Sequence, residues 1–189
     1  MVLRDELVRY LGDLLLAPCG CEDSSNNGLQ VEGKPEVRVV CFGVDACQQL
    51  FDAATARGAD FIFVHHGLSW RDNLRYLTGI TGRRVGTLFQ HGVSLYAAHL
   101  PLDQHPEVGN NAVIAQRLGL VNAVAGFEYG GEPIGYVGDL PEAMSAAELT
   151  ARVNGILNTD SQVTACGPDT IHRVGVVSGG GADALAGCR

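Results

Sequence analysis

Apolar residues at Leu3, Leu7, Leu11, Leu14 and Leu15 recur at the spacing of one helical face, so the chain opens on an amphipathic helix that Pro18 and Gly20 stop. The polar run from Glu22 to Asn27 reads as a loop before a short extended piece, Gly28 to Val31, and Gly33 to Pro35 reads as a turn. Val37 to Val44 is rich in β-branched residues and predicts a buried strand. A helix from Ala46 to Arg57 closed by Gly58 follows, then a strand from Ala59 to Val64. Strand, helix and strand in that order form a parallel βαβ unit, and sites gather where the strands of such a sheet end. Further along, the pattern predicts a helix over Gly82 to Gln90, a strand over Val93 to Ala98 and a helix over Asn110 to Leu118 stopped by Gly119. Ile134 to Leu140 reads as a strand, and Ser145 with Glu148 three residues on forms a capping box that opens a helix through Leu157. Val174 to Ser178 is a late strand, separated by three glycines from a last helical turn, Ala182 to Ala186. The fold class is α/β.

A length of 189 residues with 46% hydrophobic positions spread along the chain suits one globular domain or two small interlocked lobes. No apolar run approaches the length of a membrane span, and the first 17 residues mix charges of both signs with helical periodicity, unlike a secretory signal. A cytosolic location is expected. The net charge is −8 and Lys34 is the only lysine among thirteen basic residues, which argues against binding driven by nucleic-acid phosphates. Cysteines stand at positions 19, 21, 41, 47, 166 and 188 without a C-x-x-C pair, so they read as buried or idle thiols and not as thiolate ligands.

The chemistry lies among histidines. His65 and His66 follow a buried strand. Adjacent side chains on a strand face opposite ways, so the pair is expected to serve two ions, or one ion and an outer contact, unless the backbone bends at Gly67. His99 and Asp103 follow the next strand and add an imidazole and a carboxylate, with Pro101 stiffening the interval, a donor set suited to Zn²⁺, Mn²⁺ or Fe²⁺. His105 reads as idle on an exposed polar loop, and His91 and His172 as structural. Ser178 to Gly181 reads as a tight turn in preference to an anion cradle, since it matches neither phosphate-binding fingerprint. Two metal ions need about six protein bonds, which four candidates cannot supply. The shortage, with an order of elements over Val174 to Gly187 that loosely echoes Val39 to Gly58, leads to the expectation that part of the site lies past Arg189.

Asn27 to Val31, Gly43 to Cys47, His65 to Trp70 and above all His99 to Asn111 (HLPLDQHPEVGNN) together resemble the Nif-three-like dinuclear metal family, whose members are often called type 2 homologues of GTP cyclohydrolase I. The resemblance implies that His65, His66 and Asp103 are metal ligands and that His99 lies close to the metals as the candidate catalytic residue. It implies two divalent ions, Zn, Mn or Fe, in the complete protein, and two intertwined α/β lobes with mixed sheets whose βαβ units carry the ligands. It also implies a ring-shaped homo-oligomer, a hexamer. Residues 1–189 correspond to a single such domain, incomplete at the C-terminus, where family members supply a further His and a Glu. The expected activity is metal-dependent hydrolysis, with activated water attacking a polarised carbon of a small-molecule substrate, a nucleotide or heterocycle such as GTP, and His99 relaying the proton. The alternative is a non-catalytic metal-holding scaffold or regulator.

Overall fold

The computed structural model describes residues 1–187 and divides the chain into two compact units, Met1–Leu102 and Asp103–Arg189. In the first unit, β1 (Val2–Leu3), α1 (Arg4–Leu11) and a π-helical turn (Gly12–Leu16) precede β2 (Gly28–Val31) and β3 (Glu36–Val37). Then come β4 (Val40–Asp45), α2 (Gln48–Ala56), β5 (Phe61–His66), α3 (Gly79–His91) and β6 (Ser94–Ala97). The main sheet runs β2-β6-β5-β4, with β4, β5 and β6 parallel and β2 antiparallel to β6.

Burial on both faces explains the unbroken apolar run of β5. Ile62 and Val64 pack on Phe51 and Ala54 of α2 and on Val85 and Leu88 of α3. Phe61 and Phe63 turn the other way and pack with Tyr96 against Leu7, Leu11, Leu14 and Leu15. Gly92 closes α3 at φ 64°, a left-handed position that glycine adopts without strain.

The run Val37 to Val44 departs from the single buried strand its composition predicts. The Asp60 carboxylate accepts hydrogen bonds from Arg38 N at 2.9 Å and Val39 N at 3.1 Å, which takes those amides out of any ladder and splits the run into β3 and β4. β4 is also the edge of its sheet, so Phe42 is 73% exposed.

A short helix, α4 (Leu100–Gln104), carries the chain across the division between the units. The second unit holds α5 (Asn110–Leu118), β7 (Val121–Tyr129), β8 (Glu132–Ser145), α6 (Ala146–Leu157) and β9 (Thr170–Val176), followed by a 3₁₀ stretch, Gly181–Gly187. Its sheet is antiparallel in the order β7-β8-β9, and Ala115 and Leu118 of α5 pack with Val176 and with Leu149 and Val153 of α6. The Ser145–Glu148 capping box opens α6 as the sequence predicts. Among the described residues no helix is long and apolar enough to cross a membrane.

Candidate metal centre

Parallel strands bring their C-terminal ends to one edge of the sheet, and here that edge carries Asp45 at the end of β4, His65 and His66 at the end of β5, and His99 just past β6. One ring nitrogen from each of His65, His66 and His99 lies within 4.8 Å of the others, close enough to hold one metal ion. The rings of His65 and His66 are 4.6 Å apart, and that of His99 is 4.9 Å from His65 and 5.5 Å from His66. Neighbours on a strand were expected to diverge. They do not, because each ring is drawn back over the strand end by an acceptor on a different neighbouring strand. His65 Nδ1 meets Ala98 O at 3.1 Å beyond β6, and His66 Nδ1 meets Asp45 Oδ1 at 2.7 Å on β4.

His99 Nδ1 meets Asp23 Oδ1 at 2.8 Å. A carbonyl and two ionised carboxylates only accept, so these contacts suit imidazoles with the proton on Nδ1 and Nε2 as the ligating nitrogen. Imidazole ligands backed by an acceptor on the other nitrogen are the usual arrangement around a divalent metal, so the donor set fits such an ion.

Burial pushes the Asp23 carboxyl up, but hydrogen bonds from Asn27, Ser25, His99 and Leu100 outweigh it and leave the group below the ordinary carboxylate value. Gly67, which could have permitted a bend, is a packing site, since a Cβ there would overlap the Gln30 carboxamide. That carboxamide fixes the loop after the histidines: its oxygen accepts from Leu68 N at 2.7 Å and Ser69 N at 3.0 Å, and its nitrogen donates to Asn26 O at 2.8 Å. The loop presents Trp70, whose indole meets the His99 ring edge-on at 5.0 Å and donates from Nε1 to Gly67 O at 2.8 Å.

Asp103 belongs to the second unit, in α4, and is 5% exposed. Its carboxylate accepts from Asn110 Nδ2 and Ser178 Oγ, both at 2.8 Å, so it does not sit on an open loop. Ser178 N in turn donates to Asn111 Oδ1 at 2.5 Å, which anchors the start of the glycine segment to α5. His105 is buried and not idle on an exposed loop, because its Nδ1 accepts from Glu107 N and Val108 N, both at 3.1 Å. His91 Nδ1 lies 2.9 Å from Thr87 O within α3, a structural role as expected. Cys19 and Cys21 form a disulfide, contrary to their reading as thiols, while Cys41, Cys47 and Cys166 are free and Cys188 lies outside the described residues. Sequence reading gave no role to Asp23, Asn27 and Gln30: Asn27 and Gln30 entered only within the family motif, and Asp23 only as part of the polar run before β2.

The profile of the Duf34/NIF3 (NGG1p interacting factor 3) family matches residues 2–189. A Deinococcus radiodurans protein named GTP cyclohydrolase 1 type 2 homolog is 43% identical over 183 residues, 97% of this chain and 69% of its own length. An Archaeoglobus fulgidus protein of the same name is 43% identical over 95% of this chain and 71% of its own length. Among solved structures, TTHA1606 from Thermus thermophilus superposes with a TM-score of 0.87 at 40% identity, covering 98% of this chain and 74% of that one. The chain belongs to the Duf34/NIF3 family.

Proposed function

We propose that the chain is a divalent-metal-binding protein of the metal-dependent hydrolase type, acting on a nucleotide or heterocycle such as GTP. The observation that carries this reading is the convergence of His65, His66 and His99 at one sheet edge, each with Nδ1 committed to an acceptor. His65 and His66 serve as ligands. Asp103 is assigned to the ligand set by the family resemblance and not by the geometry, as are a count of two ions, a hexameric ring and a cytosolic setting. His99 offers Nε2 as a base and takes the proton of the attacking water. Bound here, Zn²⁺, Mn²⁺ or Fe²⁺ would acidify that water and polarise the substrate. The Trp70 indole packs against the His99 ring at 5.0 Å and helps to hold it in place.

The test is incubation with GTP, with and without added Mn²⁺, Zn²⁺ or Fe²⁺, assayed for formate. Metal-dependent formate release supports the hydrolase. Metal binding without a product from any nucleotide supports the second reading, a metal-holding scaffold that binds a protein, which the family's description as an interacting factor favours.

A further inference from the structure

One carboxylate fastens the loop before β2 to the start of α4. Asp23 Oδ1 accepts from His99 Nδ1 at 2.8 Å and Ser25 N at 2.9 Å, while Oδ2 accepts from Asn27 Nδ2 at 2.9 Å and Leu100 N at 3.1 Å. Asn27 adds a second tie, accepting from His99 N at 2.8 Å. The Asp23 side chain is 7% exposed, against 69% for Asp45 behind His66, so the carboxylate behind His99 is buried where that behind His66 is open to solvent.

Four donors converge on two oxygens, which only an ionised carboxylate satisfies. An asparagine here would have to turn its amide nitrogen either toward Leu100 N and Asn27 Nδ2, donor against donor twice, or toward Ser25 N, donor against donor once, and His99. The second arrangement forces the His99 proton off Nδ1. A loop needing only to be tied down has no use for that distinction, since Asn27 already holds the His99 backbone.

We propose that Asp23 is a positioning residue for the centre: its carboxylate fixes the His99 proton on Nδ1 and so keeps Nε2 as the basic nitrogen offered to the cluster with His65 and His66. This rests on reading the cluster as a metal-dependent catalytic site, within which it explains how His99 is kept in the tautomer whose basic nitrogen is Nε2.

Long-range ¹H–¹⁵N correlation spectra of the metal-free protein, with His99→Ala to assign the signals, read the tautomer directly. In the wild type the Nδ1 of His99 gives a protonated-type shift and its Nε2 a bare-nitrogen shift. Asp23→Asn moves His99 to the Nε2-protonated form or to a mixture. Asn27→Ala disturbs the same loop but keeps the carboxylate, and it retains the wild-type pattern. A wild-type His99 protonated on Nε2 overturns the proposal, and that result needs no variant to fold. So does an Asn27→Ala spectrum shifted as far as that of Asp23→Asn, which would leave Asp23 as a loop tie only. Calorimetry with Mn²⁺ and Zn²⁺ tests the metal reading separately: no binding would sink that reading and leave the hold of Asp23 on His99 standing.

Discussion

Tyr96 is 1% exposed in the apolar layer under α1, stacked on Phe63 at 5.8 Å, and its hydroxyl has no hydrogen-bonding partner among the described residues. A buried hydroxyl left unpaired costs free energy that phenylalanine does not, so Tyr96→Phe should raise folding stability by about 1 kcal/mol, read by denaturant titration at neutral pH. Burial also pushes the Tyr96 pKa up to about 12. The folded value exceeds the unfolded one near 10, so the stability Tyr96 contributes is complete below pH 10 and is lost as pH rises through 12. The variant should lack that alkaline decline. The opposite sign applies to Asp23, whose folded pKa is depressed: its contribution holds above the ordinary carboxylate value of 3.8 and is lost as pH falls through the lower folded one. At the metal centre, His65→Ala should lower Mn²⁺ affinity by more than about a hundredfold, the upper range for losing an outer-shell partner alone, with the melting temperature little changed. Asp103→Ala behaves differently, because it strands the donors of Asn110 and Ser178 and should cost about 1–3 kcal/mol of stability. The histidines were legible in the sequence because His65 and His66 end one apolar run, His99 ends the next, and both stretches lie in the family motifs. Asp23 was not, because a carboxylate in a polar run looks like any loop residue and its partner His99 is 76 positions away.

At the scale of elements, the loop from Gly67 to Asn73 is held by far more polar contacts than a surface turn needs. Besides the Gln30 clamp, Asn26 Nδ2 donates to Arg71 O at 2.9 Å, and Asn73 accepts from Trp70 N at 2.9 Å and donates to Leu68 O at 2.9 Å. Gly67→Ala should displace the Gln30 carboxamide and cost about 1–3 kcal/mol, as overpacking does, and it should also free the indole. Trp70 is the only tryptophan, so its emission reports this loop alone. Co²⁺ or Ni²⁺ should quench that emission saturably, through its proximity to His99 and His66, and the quenching should be lost in His66→Ala. Quenching that persists unchanged in His66→Ala would place the ion elsewhere. The helices and parallel strands were legible because burial imposed their periodicity: α5 spans Asn110–Leu118 as predicted, and β5 and β6 fall where the apolar runs do. β7 was not, because its first five residues are exposed and leave no alternating pattern to read.

For the whole molecule, the feature with the largest consequence is the free edge of the main sheet. Among the described residues β4 pairs with β5 alone, and on the face it shares with Phe63 it exposes Phe42 at 73% and Val44 at 62%. The layer of α1 and the π-helical turn covers Phe61, Phe63 and Tyr96, while Phe42 and Val44 remain solvent-exposed. The sequence pattern suggested burial here because β-branched density reports that a segment is a strand, not whether the strand lies in the middle of a sheet or at its margin. An unpaired edge with adjacent apolar side chains is a template for association. The chain should therefore self-associate as its concentration rises. Phe42→Lys places a charge on that face at the cost of the Phe42 ring's contact with Phe63, so it should reduce the association seen by light scattering while leaving Mn²⁺ binding unchanged. Association that is undiminished in Phe42→Lys would mean that another surface brings the chains together.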